Sequence, residues 1–279
     1  MKTLLFFLSF LPACLHTSIP NVAPKEAGQI APDSTIELRF APPPGFKRAT
    51  VASGSFAAYL RTLPLKPAGS PVLLFDGRKK ANTAAYAAVV DLPIGNKDLH
   101  QCADAVMRLR AEYFWQKRQF SRIHFKLTNG FQVDYERWRK GERVKVTGNK
   151  TEWVKTAAAS DSYATFWQYL ELVFNYAGTL SLSKELQQVA LQDLQIGDVF
   201  IRGGSPGHAV LVVDMAVNNA GQKVFMLVQS YMPAQEIQVL HNPDDAKQSP
   251  WYTLDSNALV IDTPEWRFRA GELMRFENQ

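Results

Sequence analysis

The chain has 279 residues, is 46% hydrophobic and 20% charged, and carries a formal net charge of +5. This is ordinary globular composition, long enough for one large domain or two small ones with a sizeable core. The charge is mild and dispersed. The one basic run, Arg137 to Lys140, is flanked by Glu136 and Glu142 and reads as a solvated loop, so no nucleic-acid module is expected.

Residues 1–17 read as a secretory signal, with Lys2 as the positive n-region and Leu4 to Leu11 as an apolar run too short to span a bilayer. Leu11-Pro12-Ala13-Cys14 resembles a lipobox, in which Cys14 becomes a lipid-modified N-terminus; plain cleavage nearby is the alternative. Both routes export the protein to the periplasm or an envelope-attached position, and a lipid anchor on Cys14 is the only membrane contact expected. Either way Cys102 remains as the one free thiol, with no intramolecular disulfide available. Residues 18–35 are rich in Pro, Ala and polar residues and read as a tether, and 36–279 as one domain.

A short strand is predicted from Ile36 to the Pro-Pro-Pro-Gly turn, then a short helix over 55–63, and strands at 72–75 and 86–94. A long helix runs from Leu99 to about Arg118. Strands flank a polar segment at 122–128 and 142–147. A second long helix ends at Gly178, with Phe166, Tyr169, Leu170, Val173 and Phe174 at core spacing. From Gly197 the pattern becomes strand, glycine-rich turn, strand, polar turn and strand, and 264–276 adds a last strand or short helix. Helices grouped with a mainly antiparallel sheet make the fold α+β.

Cys102 raises the first chemical question. Asp98 as N-cap with Gln101 three residues on forms a capping box, which places Cys102 at the end of the first turn. A helix N-terminus favours thiolate by about 0.3–1 kcal/mol, less than one pKa unit, so a nucleophile there also needs an imidazole. Cys102, Val106, Leu109 and Tyr113 also follow the spacing of a buried face, with Asp104, Arg108 and Glu112 free to pair with one another. On the helical pattern alone, the packing role is the stronger reading.

His208 follows Gly203-Gly204-Ser205-Pro206-Gly207 and opens an apolar strand, where two ring nitrogens need partners. Alternation puts His208, Val210, Val212 and Asp214 on one face. With a four-residue turn at Asn218–Gly221, position 210 faces 229 and 208 faces 231. Gln229 and Tyr231 then share the face of His208, and a one-residue slip substitutes Ser230. A polar group beside the ring orients it, as in a Cys-His-polar triad; a backbone carbonyl satisfying the ring is the alternative.

Together, Gln101-Cys102 at a helix start and Ile196-Gly197-Asp198-Val199 through Gly207-His208 to Val213 resemble the papain-like NlpC/P60 and CHAP cysteine hydrolases. The rest of the chain resembles an uncharacterised exported bacterial family, a domain of unknown function. The resemblance implies a papain-like core, with the cysteine-bearing helix packed on the sheet and an insertion at about 120–190. It makes Cys102 the nucleophile, His208 the base and Gln229 the orienting residue. The Cys102 backbone N–H is one oxyanion donor; Asn96, six residues upstream, is another or a turn residue, and His100 and Gln101 are further donors or first-turn solvent contacts. Asp91 and Tyr231 are cleft candidates. Cell-wall peptide or glycan, or another envelope peptide, is the implied substrate, with no cofactor and a monomeric chain. The long stretch between Cys102 and His208, together with a Gln as third residue, carries the alternative: an inactive envelope binding or assembly protein on the same fold.

The five histidines lie at no ligand spacing and there is no Cys-x-x-Cys, so no metal site is expected. Asp134, Glu136, Asp214 and Glu265 show no spacing that separates them from surface charges. Trp138, Trp251 and Trp266 read as packing aromatics rather than sugar platforms.

Overall fold

Thr35 turns the expected first strand into a helical turn. Its side chain accepts the Leu38 N–H and starts α1 (Ile36–Arg39). The computed structural model describes residues 34–277, so the predicted signal, Cys14 and most of the tether lie outside them. β1 (Phe46–Arg48) follows the proline turn, and Ser55 caps α2 (Phe56–Arg61). The segment 72–75 makes only isolated bridges, Leu73 with Lys79 and Leu74 with Gln235. β2 (Tyr86–Val89) leads through a loop to α3 (Cys102–Gln116).

The two strands predicted around the polar segment each take their own partner. β3 (His124–Lys126) pairs with β4 (Gln132–Asp134). After α4 (Tyr135–Arg139), β5 (Glu142–Thr147) pairs with β6 (Lys150–Lys155). α5 (Tyr163–Tyr176) buries all five residues of its predicted stripe, and α6 (Thr179–Glu185) and β7 (Leu186–Gln188) follow. The remaining strands are β8 (Val199–Arg202), β9 (His208–Asn218), β10 (Lys223–Gln229), β11 (Gln238–Leu240), β12 (Tyr252–Thr253), β13 (Val260–Thr263), β14 (Trp266–Arg269) and β15 (Leu273–Phe276).

The result is an α+β fold with few helices and a nine-stranded antiparallel sheet. The sheet runs β2-β11-β10-β9-β8-β15-β7, with β1 joined to β9 and β12 to β10. Both faces of its centre are covered, which is why β9 is buried continuously from His208 to Asp214 rather than in alternation. Ala209, Leu211 and Val213 join the large core shared with α2, α3 and α5. Val210 and Val212 join a second core with Phe200, Phe225 and Phe268 of β14. Among the described residues no helix is long and apolar enough to cross a membrane.

The register of β9 and β10 decides what stands beside His208. Val217 pairs with Lys223, one residue off the expected turn. A bulge that skips Val213 then pairs Leu227 with Val212 and Val228 with Leu211, returning the strands to the expected spacing before they reach the histidine. The same bulge breaks the alternation, so Asp214 is not a companion of His208. It is fully buried between the Arg48 Nε at 2.7 Å and the Arg61 Nε at 2.6 Å.

α3 departs from an amphipathic pattern because it is packed by β9 on one side and by α2, α5 and α6 on others. Asp104, Arg108, Arg110 and Glu112 are all buried with its apolar residues. Within the expected trio only Arg108 and Glu112 meet, at 3.4 Å, while Asp104 turns back to the helix start.

Candidate active site

The start of α3 is set one turn-step later than the sequence indicates. Asp98 is not the N-cap: its carboxylate accepts the Ala234 N–H at 2.6 Å and the Gln101 Nε2–H at 3.2 Å, tying the loop to the segment after β10. Gln101 becomes the N-cap, and Asp104 reaches back to its backbone N–H at 3.0 Å. Cys102 is therefore the first helical residue, and its backbone N–H is among the first-turn donors that have no intrahelical acceptor.

His208 enters β9 from a loop that only glycine permits at two points. Gly204 has φ of 111°, in the left-handed region. A Cβ on Gly207 would stand 2.4 Å from both the Gly204 carbonyl oxygen and the Thr179 hydroxyl of α6. The loop is thus pressed against α6, which fixes where β9 begins.

The two stretches converge. Backbone N–H groups of Ala103 and of Ala209, the residue after His208, stabilise the ionised sulfur of Cys102. Tyr231 borders both groups: its ring lies 5.0 Å from the imidazole, and its hydroxyl is coupled electrostatically to the thiol. Trp266 at 5.3 Å and Phe268 at 5.9 Å complete an aromatic wall around His208. On the strand register Gln229 falls beside His208, and the imidazole Nε2 meets the Gln229 Oε1 at 2.8 Å.

Beyond Gln229 the polar contacts continue through residues the sequence did not single out. The Gln229 Nε2 donates to the Glu265 Oε2 at 2.7 Å, and the Lys80 ammonium donates to the same oxygen at 2.7 Å. Lys80 also reaches the Gln235 Oε1 at 3.1 Å and lies over the Tyr231 ring, while Asn82 donates to the second oxygen of Glu265 at 3.3 Å. Glu265 was grouped with surface charges; it is instead the hub of this cluster, brought there by the β13–β14 hairpin. Chain spacing carries no signal for Lys80 and Glu265, because the loop and the hairpin meet only in the fold.

Burial pushes both groups toward their neutral forms. Burial, then the nearby Asp104 carboxylate, pushes the Cys102 thiol up to about 11, and only 7% of the residue is exposed. Burial lowers His208 to about 4 against the opposing pull of the Gln229 hydrogen bond and Glu265. The helix-terminus effect, about 0.3–1 kcal/mol, is outweighed by this desolvation. No hydrogen bond joins the thiol to the imidazole among those the described residues make.

The other candidates are placed apart from this pair or are occupied. Asn96 is exposed in the loop before α3. Gln101 is half-buried, with its side chain held by Asp98 and its backbone by Asp104. Asp91, half-buried after β2, has its N–H on the Pro64 carbonyl. Ser230, the residue a register slip would have substituted, is turned the other way, its hydroxyl between the carbonyls of His100 and Gln235. Trp138 and Trp251 are buried and Trp266 is half-buried, all packing. Among the described residues no group of three or more His, Cys, Asp or Glu is placed to hold a metal ion.

The fold and this cluster define an α+β protein with a thiol, an imidazole and a carboxamide gathered at one end of an antiparallel sheet. The chain belongs to the family described as Domain of unknown function (4846), whose model matches residues 36–275. No curated protein and no solved structure matches the chain.

Proposed function

We propose that this chain is a papain-like cysteine hydrolase, exported and acting on an amide of cell-wall peptide or another envelope peptide. The observation that carries the reading is the convergence of Cys102, first residue of α3, with the start of β9, where His208 is hydrogen-bonded to Gln229 on the next strand. The papain-like order of helix-borne thiol, then histidine strand, then polar strand is what the resemblance of the two motifs implies.

The neutral resting pair makes the chemistry general-base rather than thiolate–imidazolium. As the Cys102 Sγ attacks the carbonyl carbon, its proton moves to the His208 Nδ1, the nitrogen not engaged by Gln229. The oxyanion is received by the Cys102 N–H at the helix start, which turns to it from the sulfur it otherwise stabilises. Collapse breaks the C–N bond, and the imidazolium returns its proton to the leaving amine. Water, deprotonated by the same nitrogen, then hydrolyses the thioester and restores the thiol. With only 7% of Cys102 exposed, substrate reaches the sulfur only as the groups around it move aside.

The test is turnover of envelope muropeptides by the full chain, with Cys102→Ala abolishing it and iodoacetamide modifying Cys102 selectively, at a rate that rises with pH toward 11. A thiol inert to alkylation under native conditions at every pH sinks the hydrolase reading. One observation favours a second reading, an envelope-binding protein without chemistry: the thiol is 7% exposed and raised to about 11. Wall fragments bound but not cleaved, with affinity unchanged in Cys102→Ala, select it.

A further inference from the structure

We propose that Glu265, clamped by Lys80, is a positioning residue that sets the tautomer of His208 through the amide of Gln229.

The argument is one of donors and acceptors. A glutamine amide has one accepting end and one donating end, and its rotation by half a turn exchanges them. Glu265 removes that freedom. Its Oε2 already receives the Lys80 ammonium, a group that only donates, and lies 2.7 Å from the Gln229 amide. An ionised carboxylate oxygen only accepts, so the Gln229 end that faces it is the NH₂. The other end, Oε1, then faces His208 at 2.8 Å, and an oxygen that only accepts requires an N–H from the ring. The proton of the neutral imidazole is therefore on Nε2, and Nδ1 carries the lone pair.

The clamp is itself held. Lys80 is braced by the Gln235 Oε1 at 3.1 Å and by the Tyr231 ring face at 5.1 Å, and Asn82 takes the second oxygen of Glu265. The arrangement does by relay what a carboxylate in direct contact with the ring would do, but without placing a negative charge on it. The Glu265 charge is offset by Lys80, so the relay orients the imidazole without undoing the neutrality that burial gives it. A neutral ring with its lone pair on Nδ1 is the form that the proposed general base needs, whereas the opposite tautomer carries a proton on Nδ1 and cannot accept one there.

The effect on turnover rests on the hydrolase reading; the tautomer itself does not. The experiment is therefore read twice. Long-range proton–nitrogen NMR of the full chain, with His208 assigned by the signal lost in His208→Gln, reports which ring nitrogen is protonated at neutral pH. Wild type is expected to show Nε2–H alone. Glu265→Gln, which allows the Gln229 amide to turn, is expected to show both tautomers, and Glu265→Asp to restore the single one. Glu265→Leu, which removes the accepting oxygen altogether, is a second variant expected to mix the tautomers should Glu265→Gln fail to fold.

Where a cleaved muropeptide is available, kcat is expected to fall about tenfold or more in Glu265→Gln with KM within about twofold, and to recover in Glu265→Asp. A single Nε2–H tautomer in wild type and in every foldable clamp variant overturns the inference while leaving the hydrolase reading intact. A protonated Nδ1 in wild type overturns it as well. Mixed tautomers in a protein that cleaves nothing support the positioning role and sink the hydrolase reading alone.

Discussion

His208 and His100 stand at the two ends of one cluster, and burial lowers both, His208 to about 4 and His100 to about 3. What meets each ring differs. His208 has Nε2 on the Gln229 carboxamide, a chain of polar groups behind it, and the thiol-bearing helix start nearby. Among the described residues the His100 Nε2 has no partner, its Nδ1 is 3.4 Å from the Gln235 carbonyl, and its ring edge packs on Phe174. Its useful contact is through the backbone, where the Ser230 hydroxyl holds its carbonyl and so the loop that delivers Cys102. Burial favours the neutral form of both rings; the short Gln229 contact, backed by Glu265, orients His208 more firmly than the 3.4 Å carbonyl contact orients His100.

On the hydrolase proposal, the largest effect that separates the two is on turnover. His208→Ala is expected to lower kcat by about 10³-fold or more, in the range lost with a general base, and His100→Ala to leave kcat per folded molecule within about threefold. Steady-state rates on muropeptides check this, and a His100 variant as dead as the His208 variant breaks the distinction.

Stability separates them in the opposite sense. His100→Ala empties a fully buried site beside Phe174 and is expected to cost about 2–4 kcal/mol in urea unfolding. His208 lies at a strand start against half-buried Trp266 and Tyr231, and its truncation is expected to cost less.

The pH dependence sharpens the comparison. Each ring stays neutral in the fold while the unfolded chain protonates near 6.5, so the unfolded state binds more protons and stability falls as pH drops through this window. The loss runs from about 6.5 toward 4 for His208 and toward 3 for His100, at up to about 1.4 kcal/mol per pH unit each. His100→Gln is expected to flatten this acid limb, read from urea midpoints across the range. Asp104 carries the opposite sign. Burial raises its carboxyl to about 8, so the fold keeps a proton the unfolded chain releases, and stability falls as pH rises toward 8. Asp104→Asn is expected to flatten that limb and to move Cys102 alkylation to lower pH, because the Asp104 charge is one cause of the raised thiol.

The smallest effect is on the His100 side. Ser230→Ala removes a buried hydroxyl that lies between the His100 and Gln235 carbonyls and is expected to cost about 1 kcal/mol, with, on the hydrolase proposal, a modest rise in KM as the loop before Cys102 loosens.

Much of this was legible along the chain because it rests on local patterns. The aromatic stripe of α5, the glycines before β9 and the β-rich run from Val199 to Gln229 each reflect propensities that act over a few residues. The expected first strand is a helical turn because the Thr35 cap outweighs the strand propensity of four residues. The capping box slipped because Asp98 found a backbone N–H 136 residues away, at Ala234, and left the cap to Gln101.

The sequence by itself determined the α+β class, the helix that bears Cys102 and the strand that His208 opens, since period and turn chemistry are properties of neighbours in the chain. The tertiary structure alone decided which groups are neutral, which carboxamide end faces the imidazole, and that Lys80 and Glu265 stand behind it. Those outcomes depend on desolvation and on donors meeting acceptors across the sheet and the β13–β14 hairpin, and such encounters are created only when distant segments pack together.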